Sequence, residues 1–392
     1  MRINMRFLKP LATALSVVAV TVVLASCGDN EKKAATASDE ILIKIAHAAP
    51  LTGPQAHLGK DNENGVRLAI DELNAKGFKI GDKKAKIEFI SEDDQADPRV
   101  ATTVAQKFVD EKVNAVIGHM NSGTTIPASK IYSDAGIPQI SPSATNVKYT
   151  QQGFKTAFRV MANDAQQGSV LGHFAVQDMN AKKIAIIDDR TAYGQGLADE
   201  FEKAAIATGA TIVGREFTSD KATDFTSILT KIKGLNADLL FYGGMDAQAA
   251  PMVKQMRTLG ISLPLMAGDG SHTAEFMTLA GDAADGVIAS LPGVPLDQMP
   301  GGSAFGEKFN SKYGKIQLYA PYCYDAVNLL IAAMQKANST DPTVYLPQLA
   351  ATDYAGVTAK IGFDSKGDLN GGAITIYRAE KGEWKMLKTL GN

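Results

Sequence analysis

The chain has 392 residues, a formal net charge of −2, 45% hydrophobic and 21% charged residues. That balance excludes a mainly disordered or collagen-like chain, and at roughly 100–200 residues per domain two domains fit best. Near-neutral charge with no basic run interleaved with aromatics argues against nucleic-acid binding, and the 2 cysteines cannot build a disulfide scaffold.

Residues 1–10 carry Arg2, Arg6 and Lys9, and Leu11 to Ala25 are almost continuously apolar. A basic stretch followed by an apolar run too short to span a membrane reads as a signal peptide over residues 1–26. The run ends Leu24-Ala25-Ser26-Cys27, which resembles a bacterial lipoprotein cleavage box with Cys27 as the lipidated first residue. Small, polar and charged residues then form a tether, 27–40. The expected location is the periplasm, with a lipid anchor on a cell-envelope membrane. Gly28 stands where an Asp would resemble an inner-membrane retention signal, which leans to the outer membrane where the envelope has one and leaves the choice of membrane open.

The body alternates strands and helices. Ile41–Ala46 reads as the first strand and Gly53 to Gly59 as a loop, with a helix from about Asn62 to Lys76 ended by Gly77. Lys86–Ile90 is a strand. Asp97-Pro98 caps a helix lined by Val100, Val104 and Phe108. Ala115–Ile117 is a buried strand, and a helix begins near Gly123. A second set starts near Asp164. Its strands are Lys183–Ile187, Thr211–Phe217, Ala237–Tyr242 and Leu263–Met266. Its helices are Gly194–Ala207, Asp224–Lys233 and Met245–Leu259. A Pro- and Gly-rich connection, 292–302, precedes helices near Ser303–Tyr313 and Pro321–Lys336. Residues 373–377 and 384–387 form a terminal hairpin. The pattern predicts α/β lobes with parallel sheets covered on both sides.

In open α/β sheets, ligands sit outside the carboxyl ends of the strands. Several strand ends here run into Gly, Ser, Thr or Asp at a helix start. Ser122, Thr145 and adjacent amides suit a carboxylate, because free N–H groups at a helix start attract anions. Asp269, in Ala267-Gly268-Asp269-Gly270, suits an ammonium group. Together they make a site for a zwitterion.

The ordered set of motifs resembles the bacterial branched-chain amino acid binding proteins, the leucine-binding solute receptors of Leu/Ile/Val ABC importers. It comprises Val116-Ile117-Gly118-His119 with Ser122, Ser141-Pro142 with Ala144-Thr145, Ala192-Tyr193-Gly194-Gln195-Gly196, Phe241-Tyr242-Gly243-Gly244 and Gly367-Asp368-Leu369. The likeness covers Glu40 to the C-terminus. It implies the type I periplasmic binding protein fold: two Rossmann-like lobes joined by three hinge crossings near Ala162, Leu291 and Ala373. Lobe 1 would be 41–162 with its return 292–372, and lobe 2 would be 163–291 with the C-terminal strands 373–392.

The resemblance also implies ligand-binding roles. Ser122, with Met120 and Asn121 beside it, would hold the carboxylate. Ser143, Ala144 and Thr145 form the second contact segment, Tyr193 closes from the other lobe, and Asp269 takes the ammonium. Leu58 and Met245 stand where relatives often carry aromatics, and Asp269 is one methylene shorter than the usual Glu. Ala96 and Asn121 occupy the positions of a disulfide found in some relatives. The implied function is capture of leucine, isoleucine or valine, with phenylalanine an outer candidate, for delivery to ABC permease subunits by a monomer without cofactor or metal. The alternative on the same fold is a non-enzymatic sensor of an amide, urea or another amino acid.

Other residues read as structural. Cys323 is expected as a buried free thiol and His119 as a fixed hydrogen-bonding group. His173 and His272 read as surface or cap positions, Asp93-Asp94 as structural, and Asp71-Glu72 as solvated. No G-x-G-x-x-G follows the first strand and no G-x-S-x-G occurs, so dehydrogenase and hydrolase readings find no support.

Overall fold

A computed structural model describes residues 40–391. The signal segment, Cys27 and the tether up to Asp39 lie outside the described residues. Strand β1 (Glu40–Ala49) has Ile43, Ile45, Ala46, Ala48 and Ala49 fully buried. Helices therefore cover both faces, as a parallel sheet requires.

Helix α1 (Ala56–Lys76) begins earlier than its sequence suggests. Gly59, read as the end of a loop, lies within its first turns. A Cβ there would come 1.9 Å from the Pro50 carbonyl oxygen, so the absent side chain lets helix and loop touch. Gly77, at φ +70°, closes the helix as expected. Strands β2 (Phe78–Ile80) and β3 (Lys83–Asp93) form an antiparallel pair of which only the middle of β3 was foreseen. The Asp97 carboxylate accepts the N–H groups of Arg99 and Val100 and caps α2 (Pro98–Asp110). Next come β4 (Ala115–Gly118), α3 (Ser122–Asp134), β5 (Gln139–Ser141), α4 (Lys148–Gln151) and β6 (Ala157–Arg159). The first sheet has the order β2-β3-β1-β4-β5-β6, parallel except for β2.

Helix α5 (Asp164–His173) opens the second half. It continues through β7 (Lys183–Asp188), α6 (Ala192–Ala207), β8 (Thr211–Phe217), α7 (Thr226–Gly234), β9 (Leu239–Gly243), α8 (Asp246–Thr258), β10 (Leu265–Ala267), α9 (Ala274–Ala280) and β11 (Ile288–Pro292). Helices α10 (Gly302–Tyr313), α11 (Ala320–Ala337) and α12 (Pro342–Ala350) follow, with a small pair β12 (Tyr354–Ala355) and β13 (Lys360–Ile361). The chain then returns to the second sheet as the hairpin β14 (Ile374–Glu380) and β15 (Glu383–Leu390). That sheet has the order β15-β14-β11-β10-β9-β7-β8, with β14 and β15 antiparallel at one edge. Each sheet with its helices is called a lobe below.

Helix α11 covers the first lobe. A Cβ on Gly65 of α1 would lie 2.4 Å from the Ala320 carbonyl oxygen, so the two helices pack at backbone contact. Buried Asp61 of α1 accepts four backbone N–H bonds from the chain entering α11: Gln317, Leu318, Tyr319 and Ala320, at 2.8, 3.0, 2.8 and 2.9 Å. A carboxylate thus caps a helix start from another element.

Two sequence readings change. Asp71 and Glu72 are not merely solvated: Asp71 meets Lys312 at 2.6 Å, and Glu72 meets Lys308 and the Tyr324 hydroxyl, fastening α1 to α10 and α11. His272, read as a surface or cap position, caps the short turn Asp269–Ser271 and is half-buried. Its ring is enclosed against Tyr377 and Trp384, and burial pushes its pKa down to about 3. Helix α12 was not anticipated, because two prolines in nine residues obscure it. Pro342 sits in the first turn, where its missing N–H costs nothing, behind an Asp341 cap. Cys323 is a buried free thiol, His173 is exposed, and His119 is fixed between Asp94 at 2.8 Å and Tyr132 at 2.9 Å, as expected. Asp93 is structural too, accepting from Leu51, Thr52 and Gln95.

Candidate ligand-binding site

The carboxyl ends of the parallel strands in the two lobes supply the walls of one chamber. Met120, Asn121 and Ser122 follow β4, and Ser143 follows β5. Tyr193 stands in the first turn of α6, Met245 follows β9, and Asp269 follows β10. These seven residues and Tyr319 line the chamber. Past Asn121, Tyr193 and Met245 lies an outer cavity walled also by Gln55, Pro98, Arg190 and Asp220.

On the first lobe, the N–H groups of Thr124 and Thr125 bond back to the Asn121 carbonyl. The N–H groups of Ser122 and Gly123 remain as donors at the helix start. The Ser122 hydroxyl accepts the Asn146 N–H at 3.2 Å. Ser143 donates to the Met120 carbonyl at 3.0 Å and accepts from Asn62 at 3.2 Å, so its hydroxyl ties β4, β5 and α1 together. The buried Thr145 hydroxyl stands against the buried Asp164 carboxyl instead of opening into the chamber.

Arg159, fully buried, shapes this segment. Its guanidinium donates to the carbonyls of Ala144 and Asn146 at 2.7 and 2.9 Å, and to Asp368 at 2.6 and 2.9 Å. The loop 143–146 is therefore held by a charge-assisted fork anchored on the Gly367-Asp368-Leu369 turn. Nothing in the sequence marked Arg159. Asp368 stood within a quoted motif, and an acidic turn residue that needs a buried partner was the available clue.

On the second lobe, Asp269 is fully buried. One oxygen accepts the Tyr193 hydroxyl at 2.8 Å and the Gln167 amide at 3.1 Å. The other accepts the Tyr319 hydroxyl at 2.6 Å. Tyr319 enters from the start of α11, so this last bond crosses between the lobes. Burial raises the pKa of Asp269, and the three donors oppose that without cancelling it. A cation placed against the carboxylate would favour its charged form.

Leu58, Ala144 and Thr145 do not line the chamber. Leu58 is fully buried in α1, the Ala144 carbonyl is taken by Arg159, and Thr145 is buried beside Asp164. Tyr319 was missed, having been quoted only as the lead-in to Cys323. Among the described residues, no three His, Cys, Asp or Glu side chains gather as metal ligands, and no helix is long and apolar enough to cross a membrane.

Two α/β lobes whose strand ends face a shared charged chamber define a solute-binding protein. The sequence profile of the periplasmic binding protein family matches residues 42–383, and the chain belongs to that family. It is 35% identical over 371 residues to the Leu/Ile/Val-binding protein homolog 1 of Brucella abortus (strain 2308), covering 94% of this chain and 96% of that one. It is 33% identical to the leucine-, isoleucine-, valine-, threonine-, and alanine-binding protein of Pseudomonas aeruginosa, covering 86% and 90%. Its fold matches the branched-chain amino acid transporter substrate binding protein LivJ from Streptococcus pneumoniae, solved in complex with isoleucine. The TM-score is 0.81 and the identity 28%, over 90% of this chain and 100% of that one. The family and the type I fold expected from the motifs are thus borne out.

Proposed function

We propose that the protein is an extracytoplasmic receptor that closes on a branched-chain or related apolar L-amino acid and delivers it to an ABC permease. The observation that carries this reading is the pairing of opposite demands in one chamber. The buried carboxyl of Asp269 and the start of α3 line the same chamber, together with Met120 and Met245. An α-ammonium group answers Asp269, an α-carboxylate answers Ser122 and its neighbours, and an apolar side chain suits the methionines. The names of the relatives point the same way.

In this reading the lobes comprise 41–162 with 292–372, and 163–291 with 373–392, and hinge at the three crossings. Ligand would dock on one lobe and closure would bring Tyr193, Met245 and Asp269 over it. The anchor would be lipid on Cys27, leaving the tether to span the gap to the fold. Each step is binding or motion, so no catalytic role is assigned.

A thermal-shift screen of the twenty amino acids and short amides tests the reading. Leucine, isoleucine or valine should give the largest stabilisation. Asp269→Asn keeps an acceptor for one of the two tyrosines but loses the charge, and should weaken the best ligand by about tenfold or more. A screen in which no amino acid shifts the melting point, or an Asp269→Asn protein with unchanged affinity, contradicts the assignment.

A further inference from the structure

His57 and Asp246 meet across the cleft beside this chamber. His57 lies in the first turn of α1 on the first lobe, and Asp246 opens α8 on the second, directly after the chamber residue Met245. The imidazole Nε2 stands 2.8 Å from Asp246 Oδ2, with side-chain exposures of 20% and 0%. Asp246 is held from its own lobe: Oδ2 accepts the Thr273 hydroxyl at 2.6 Å, and Oδ1 accepts the Ala247 N–H at 2.8 Å. One partner is therefore rigid and buried, and the other reaches it only when the lobes are together.

We propose that this pair is a latch that holds the cleft shut over the ligand and, because one partner is a histidine, ties ligand retention to pH. The latch rests on the receptor reading above for its role. Burial pulls the His57 pKa down, but the hydrogen bond and charge of Asp246, with Glu275 of α9 behind it, outweigh that and leave it raised. The Pro54 carbonyl adds a smaller push the same way. On α1 itself, Lys60 is engaged by Glu63, and Asp61 by the chain entering α11. Opening separates His57 from Asp246 and returns it to water, where it titrates near its ordinary value. A group raised by closure favours the closed state fully below its open-state pKa, and that preference is lost as pH rises through the raised value. Retention is thus strongest on the acid side of neutrality. The effect runs opposite to the weakening that acid brings to sites built on exposed carboxylates.

The experiment compares the full chain with His57→Gln, and with Asp246→Asn as a second break in the pair, at pH 5.5 and pH 8. It reads release of radiolabelled L-leucine and the closed fraction from spin labels placed one on each lobe. The wild type should release leucine about fivefold faster at the higher pH, and His57→Gln should release it fast at both. The closed fraction should fall with pH in the wild type and lose most of that dependence in both variants. Equal release rates and closed fractions in all three proteins at both pH values overturn the latch. A chain that ignores leucine yet shows the pH-dependent closed fraction keeps the latch and refutes the ligand assignment.

Discussion

Asp164 stands at the start of α5, where the chain first crosses to the second lobe. It is fully buried, and neither carboxylate oxygen meets a donor in good geometry. Burial, helped by the charge of Asp269, pushes its pKa up to about 8, against the pull of Thr145 and Arg159. An unfolded chain titrates this group near 3.8. Its contribution to stability is therefore complete below about pH 4 and is lost as pH rises toward 8. Asp164→Asn removes the proton question, so the variant's advantage in melting temperature over the wild type should widen from pH 5 to pH 8. An advantage that stays constant, measured by calorimetry in matched buffers, would contradict this. The sequence suggested a new unit near Asp164 but gave no hint of the residue's isolation, which depends on Gly196 and Thr145 closing around it from distant segments. Asp269 was legible because its Gly-Asp-Gly setting sits at a strand end. Tyr319 was not, because its hydroxyl reaches Asp269 only through the fold, 50 residues away along the chain.

Most elements follow from local rules, and the exceptions have identifiable causes. The cap of α2 was readable in Asp97-Pro98, whereas the early start of α1 depends on a contact between Gly59 and Pro50 that no periodicity encodes. The link between α1 and α11 was also invisible, since Asp61 looks like one more charge on a helix surface. That carboxylate nonetheless receives four N–H groups, while burial keeps its pKa raised. Asp61→Ala leaves those donors without a partner in a buried joint. It should cost about 2–4 kcal/mol of stability and loosen Tyr319 over the chamber. Denaturant titration would show the midpoint falling with little change in slope, and an unmoved midpoint would remove Asp61 from the account.

At the scale of the molecule, strand–helix alternation was enough to predict two parallel-sheet lobes, because βαβ units bury both faces of a sheet. Alternation could not show that α10 and α11 return to the first lobe while β14 and β15 join the second. The return of α11 to the first lobe places Tyr319 opposite Asp269. The chamber they line holds the buried Asp269 carboxyl and the helix-start amides of α3. Both demands should be needed for tight binding. Titration calorimetry of the ligand-stripped protein with L-leucine, 4-methylpentanoate and 3-methylbutylamine separates them in a single series. Strong heat from leucine alone, with each one-charge analogue weaker by at least about a hundredfold, is the predicted result. Binding of 4-methylpentanoate as tight as that of leucine would contradict a chamber built for a zwitterion.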